Sequence, residues 1–294
     1  VIRPRPVALR AGDVRDVRNV EAFAARTPTL PPATHTNSYA LGGREVLLVE
    51  PATPYEDERR EWLAWARGFA AQGRTIAAIA VTHHHADHVG GARFFAAELG
   101  VPVWAHAEAA PRLPGVPIAR RLADGDVVRL GGPEPMEIRV LHTPGHAPDH
   151  LCFLDEAQGA LVCGDMVAGV GTILIDPREG DMAVYLAQLE RLAALGARVV
   201  LPAHGAPIEE PEALFRRYVA HRMAREQRVL EALEGAGEGG AALEGLLPVA
   251  YADTAPAIWP LARLSLEAHL VKLEREGRAA RREDRWRRAS GNDA

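Results

Sequence analysis

Four ligand-type side chains crowd into six positions, His83-x-His85-x-Asp87-His88, directly after the apolar run Ile76 to Val81 and just before a helical stretch. Histidines two residues apart diverge on a helix but converge on a turn, so this spacing demands a buried strand that ends abruptly at a sheet edge. Three further residues obey the same rule. His146 in TPGH, Asp165 in VCGD and His204 in LPAHG each sit just past an apolar, strand-like run. Separate strand ends therefore deliver ligands to one edge, where the loops of a packed α/β sheet form a crevice.

Imidazole and carboxylate donors suit a divalent ion such as Zn²⁺, and iron or manganese fits the same donors. Five histidines and two aspartates exceed what one tetrahedral ion takes, which points to two adjacent metals. Asp165 is the natural bridge, because a carboxylate offers two oxygens where a metal-binding imidazole offers one nitrogen. His84 lies between two ligands and reads as a solvated or packing residue. His150 reads as a residue that orients a ligand. The segment Val167 to Asp176, with Gly171 and Thr172, is expected to face substrate.

Around this centre the pattern is that of an α/β protein. Residues 36–50 read as two strands about Gly42-Gly43, and Glu56 to Gln72 as a helix with Trp62, Trp65, Ala66 and Phe69 on one side. Val101 to Trp104, Val127 to Leu130, Ile138 to His142, Leu151 to Leu154, Ala160 to Cys163 and Val199 to Leu201 read as strands, and Met182 to Leu195 as a helix. Two groups of strands with covering helices suggest two sheets packed face to face. After about residue 208 the pattern turns helical: Glu212 to Leu233, Leu243 to Tyr251 and Ala257 to Glu276, then a hairpin about Glu283-Asp284. That is the outline of a winged helix, giving domains 1–208 and 209–294.

Composition excludes the alternatives. With 48% hydrophobic and 25% charged residues in 294, the chain is neither disordered nor collagen-like, and no apolar run spans a bilayer. A net charge of -5 gives no global attraction to nucleic acid. Two cysteines, Cys152 and Cys163, cannot staple so long a chain, and the N-terminus lacks a signal-peptide pattern, so a cytoplasmic location is expected. A local exception to the acidic balance is the stretch 278–288, with six arginines, two acids and Trp286. Basic residues interleaved with an aromatic suit a nucleic-acid strand. Winged helices also serve as dimerisation pieces, so a homodimer stays open.

The order HxHxDH, TPGH, GD and PAHG resembles the metallo-β-lactamase superfamily of hydrolases over about residues 35–206. TPGHAPDH, YVAHRMAREQRVL and LEAHLVKLEREGR are similar to its β-lactamase-like protein 2 family, whose members append a winged helix. The resemblance implies a four-layer αββα sandwich. It implies one metal at His83, His85 and His146, a second at Asp87, His88 and His204, and Asp165 shared. A hydroxide between them would attack a carbonyl or phosphoryl centre, with Asp87 orienting its proton. Glu50 stands where many relatives have Asp, so the hydrogen bond expected behind the ligands must reach differently. The family implies a single-stranded RNA endonuclease first and an ester, thioester or lactone hydrolase second. A non-enzymatic nucleic-acid-binding regulator comes last. The single lysine, Lys272, lies outside residues 1–208, which disfavours glutathione thioesters.

Overall fold

The computed structural model describes residues 17–289; residues 1–16, which carry the signal-peptide reading, and 290–294 lie outside the described residues. The first sheet contains β1 (Val20–Arg26), β2 (His35–Leu41), β3 (Glu45–Val49), β4 (Thr75–Ala80), β5 (Val103–His106) and β6 (Ile118–Leu122), side by side in chain order. Its first three strands are antiparallel and β3 to β6 are parallel. The second contains β7 (Val127–Leu130), β8 (Met136–His142), β9 (Leu151–Asp155), β10 (Ala160–Gly164) and β11 (Val199–Pro202), with β10 and β11 parallel. The strand readings hold to within two residues. β1 and β6 are additions.

Strand alternation decides what each face meets. Leu47 and Val49 share one core with Ile138, Val140, Phe153 and Leu201 of the second sheet. Val46 and Leu48 point the other way, into a core with Trp62, Ala66, Phe69 and Phe95 from α1 (Glu56–Ala71) and α3 (Ala92–Leu99). Burial of each such side chain contributes about 1.5–3 kcal/mol, so a one-residue slip of β3 would forfeit contacts in both layers. Trp62 stacks on Phe95 with ring centroids 3.8 Å apart, and its Nε1 donates to Ser38 Oγ at 2.8 Å.

The two parallel pairs position the site. Because β3 runs beside β4 and β10 beside β11, four carboxyl ends emerge together in pairs. β3 leads into Glu50, β4 into the histidine turn with the single-turn helix α2 (Ala86–Val89), β10 into Asp165 and β11 into His204.

The chain divides into two compact units. The sheets and α1 to α3 belong to the first. The second gathers Pro144–Ala147, Ile173–Ala194 and Ala213 onward, with α4 (Met182–Ala193), α5 (Pro211–Ala236), α6 (Leu243–Ala250), α7 (Trp259–Arg275) and the hairpin β12 (Ala279–Arg282) to β13 (Arg285–Arg288). Leu230, Leu233, Leu246, Leu266, Leu270 and Trp286 share its core. Alternation along β13 turns Trp286 inward, 2% exposed, and Arg285 and Arg287 to the opposite face. A tryptophan that closes a core offers no face on which a base can stack. Among the described residues no helix is long and apolar enough to cross a membrane.

Candidate metal centre

The histidine turn begins where β4 ends. His83 and His88 are fully buried, and His83 Nε2 lies 3.0 Å from His85 Nδ1. His85 adopts extended φ/ψ as the residue before α2, and the one turn of helix then brings Asp87 and His88 toward the ends of β10 and β11. His88 Nε2 sits 3.7 Å from Asp87 Oδ2 and 3.5 Å from Asp165 Oδ1. His204 Nε2 sits 3.5 Å and 3.3 Å from the same two oxygens. Asp87, His88 and His204 thus offer ligand atoms all within 4.8 Å of one another. His146, buried on the loop after β8, holds its Nδ1 2.8 Å from the Leu174 carbonyl.

Behind the imidazoles stands a set of acceptors that fixes their tautomers. Glu50 Oε1 accepts from His88 Nδ1 at 3.0 Å and also from the Thr82 hydroxyl. That hydroxyl, its proton committed to Glu50, accepts from His83 Nδ1 at 2.9 Å. His204 Nδ1 donates to the His35 carbonyl at 3.0 Å. In each case Nδ1 is the outer nitrogen, donating away from the centre, and Nε2 is the nitrogen turned toward it. Glu50 reaches this place through its backbone: φ is +63°, a left-handed conformation costing about 1–3 kcal/mol in a non-glycine residue. Its N–H bond to the Ala80 carbonyl at 3.1 Å and the Ser38 hydroxyl on its carbonyl pin that turn.

His150 stands behind Asp165 and beside His83, with ring centroids 5.0 Å apart. Its Nδ1 lies 2.8 Å from Thr143 Oγ1 and its Nε2 accepts from the Asp165 N–H at 3.0 Å. Gly164 makes this approach feasible: φ is +48°, and a Cβ there would lie 2.6 Å from His150 Nε2 and 2.9 Å from Thr82 Oγ1. His84 turns aside to Asp149 at 2.7 Å. Gly171 and Thr172 are exposed, on a loop tied to the centre by the Gly169 N–H bond to the His204 carbonyl at 2.7 Å. Thr29 Oγ1, 3.4 Å from His204 Nε2, also borders the centre. Thr29, Thr82 and Thr143 were missed, although Thr82 directly precedes His83 and Thr143 opens TPGH.

Three carboxylates, Glu50, Asp87 and Asp165, meet in this buried space, an arrangement that costs heavily unless positive charge compensates. Burial alone would lower the His88 pKa, but Glu50, Asp87 and Asp165 hold it well above 6.5. His204 is pushed up to about 10, burial being outweighed by Asp165 and then Asp87. Burial raises the Asp165 carboxyl, yet His204 and His88 prevail and keep it well below 3.8. The donor set fits divalent cations: His88 Nε2 is buried without a hydrogen-bond partner, facing two carboxylate oxygens at distances too long for hydrogen bonds.

Comparison with known proteins agrees with this geometry. The metallo-beta-lactamase superfamily profile matches residues 31–204, and that of the beta-lactamase associated winged helix domain matches residues 243–286. A beta-lactamase-like protein 2 homolog of Drosophila melanogaster is 29% identical over 251 residues, covering 83% of each chain. An atrochrysone carboxyl ACP thioesterase of Aspergillus fumigatus is 32% identical over 205 residues, 68% of this chain and 60% of that one. Among solved structures, a metallo-beta-lactamase family protein from Thermus thermophilus superposes with a TM-score of 0.74 at 27% identity, covering 92% of this chain and 99% of that one. Another, solved in a di-iron-bound form, is 29% identical with a TM-score of 0.50, covering 64% and 96%. Strand ends that gather histidines and aspartates, and a profile spanning most of the first unit, place this chain in the metallo-β-lactamase superfamily, with a beta-lactamase-associated winged helix domain toward its C-terminus.

Proposed function

We propose that this chain is a two-metal hydrolase of acyl substrates, a thioester or related ester. By the order of the family's motifs, His83, His85 and His146 would hold one divalent cation; Asp87, His88 and His204 the second; and Asp165 both. Zinc is the first candidate, and iron or manganese suits the same donors. The observation that carries the reading is the orientation of the imidazoles. His83, His88, His146 and His204 each commit Nδ1 to an oxygen acceptor, which leaves Nε2 as the nitrogen available for coordination once any proton on it is displaced.

When bound, the cations supply Lewis acidity at a carbonyl oxygen and bring the pKa of water toward neutrality. The chain's own groups do the rest. Asp87, whose carboxyl is held low by His88 and His204 against burial, stays ionised at neutral pH and accepts a hydrogen bond from the attacking water, orienting its proton. Thr29 is placed to donate toward a substrate oxygen beside His204. We assign this chemistry to residues 1–208, with 209–294 as the appended helical domain.

Acyl transfer is favoured over RNA cleavage by the inward turn of Trp286 and by α7, whose Leu266, His269, Leu270 and Leu273 are buried. A helix so committed to its own core presents little to a groove. The name of the Aspergillus relative points the same way. RNA remains the second reading because Arg281, Arg282, Arg285 and Arg288 are exposed on the hairpin. Parallel assays of the metal-loaded protein on chromogenic acyl thioesters and single-stranded RNA decide between them. Thioester turnover unchanged by neutralising Arg281, Arg282, Arg287 and Arg288 is expected. Salt-sensitive RNA cleavage without thioester turnover would refute the acyl reading.

A further inference from the structure

We infer that Arg222, on α5, is a positioning residue for the metal ligand His146. The inference rests on the ligand assignment proposed above. Pro144–Ala147, Ile173–Ala194 and α5 from Ala213 onward fall in one compact unit, so the contacts concerned lie within a single body.

His146 is held from two sides. Its Nδ1 donates to the Leu174 carbonyl at 2.8 Å. Its backbone is gripped by the turn before α4: the Asp181 N–H donates to the Gly145 carbonyl at 2.8 Å, and a Cβ on Gly180 would lie 2.8 Å from that carbonyl and 3.1 Å from that of His146. Tyr185 packs so closely that a Cβ on Gly145 would come within 2.4 Å of its backbone.

Arg222 bears on both sides at once. It donates to the carbonyl of Ile173, the residue next to Leu174, and its guanidinium lies 5.8 Å from the centre of the Tyr185 ring. Arg275 on α7 adds a bond to Asp181, whose side chain caps α4. Arg222 is 4% exposed, and among the described residues no carboxylate pairs with it and its Nε has no partner. Taking an unpaired guanidinium out of water is expensive, and an apolar side chain would pack there at lower cost. What the guanidinium supplies that an apolar group cannot is a fixed donor on the carbonyl beside the one that orients His146.

The test is Zn²⁺ retention by the full chain against a competing chelator, together with thermal unfolding. R222M is expected to weaken one of two bound Zn²⁺ by about 10-fold, the low end for groups behind a ligand. R222K, which keeps one donor, is expected between R222M and the parent, and it carries the test if R222M does not fold. R225M removes a neighbouring buried arginine that bonds Asp253 and the Ala250 carbonyl. It is expected to lower Tm with Zn²⁺ affinity unchanged. Zn²⁺ affinity within twofold of the parent in the arginine-222 variants overturns the inference, as does equal Zn²⁺ loss in R225M. H146A separates the two levels: loss of one Zn²⁺ there with none in R222M sinks the inference alone. Two Zn²⁺ retained by H146A sinks the ligand assignment and the inference with it.

Discussion

Replacing Glu50 by Gln tests how much of the centre is built behind the ligands. The carboxylate accepts two charge-assisted bonds, from His88 Nδ1 at 3.0 Å and from the Thr82 hydroxyl, and through Thr82 it also orients His83. Hydrogen bonds to a charged group contribute about 1.5–3 kcal/mol, roughly twice a neutral bond, so an amide of the same shape loses about 1 kcal/mol per bond and about 2 kcal/mol in all. Because these bonds make the imidazoles better donors to a cation, the loss falls on the metal-loaded state, and about 2 kcal/mol is roughly a 30-fold weaker affinity. The amide brings a second cost. Glu50 Oε2 is buried without a hydrogen-bond partner, and an NH₂ placed there has no acceptor, a penalty of about 1–3 kcal/mol on the fold. In a domain of this size that lowers Tm by roughly 2–12 °C. Competitive titration with a metallochromic chelator measures the first effect and calorimetric unfolding of the metal-free protein the second. Metal affinity within twofold of the parent would refute the reasoning.

Metal binding is expected to release protons. In the metal-free protein His204 has a pKa of about 10 and His88 one well above 6.5, so both carry protons at pH 7 that a cation must displace. Calorimetry in buffers of different ionisation enthalpy should find about two protons released per loaded chain, and affinity rising with pH; no release would contradict it. Their raised pKa values also stabilise the metal-free fold fully below pH 6.5, and that contribution fades as pH climbs toward about 10, readable as a falling Tm. In the second unit, buried Glu226 accepts from Lys272 at 2.7 Å and from Arg278 at 2.8 Å. E226Q is expected to cost about 2 kcal/mol in thermal unfolding at pH 7, since it removes the charge-assisted bonds to Glu226 while Lys272 keeps Glu276 at 2.8 Å. Burial raises the Glu226 pKa, but His269 and Lys272 bring it down to about 2. Its contribution is therefore present above pH 4.5 and lost as pH falls toward 2, and the gap between parent and variant should close over that range.

The parts legible in the sequence were those carried by short-range pattern. The HxHxDH turn and the strand-end positions of Asp165 and His204 needed only an apolar run followed by a polar stop, and the structure brings their ligand atoms together. β1 escaped because VEAFAAR mixes strand and helix formers, and the one turn residue directly before it, Asn19 with φ +59°, is a weak signal on its own. β6, IARRL, escaped because its alternation is carried by arginines. Trp286 was misjudged by composition where alternation would have served: flanked by Arg285 and Arg287 on a strand, it must point away from both. The hydroxyl of Thr82 could not be read at all, since its partner Glu50 comes from a neighbouring strand 32 residues away; Thr143 meets His150 across the connection from β8 to β9, a contact that depends on loop geometry rather than on residue type. The grouping of residues 144–147 and 173–194 with the C-terminal helices likewise has no local signature.

The most direct test of the account is an anomalous difference map from crystals of the Zn²⁺-loaded protein. Two peaks are predicted, one bounded by His83, His85 and His146 and the other by Asp87, His88 and His204, with Asp165 between them. A single peak, or peaks away from these side chains, would contradict the two-cation centre on which the proposed chemistry depends.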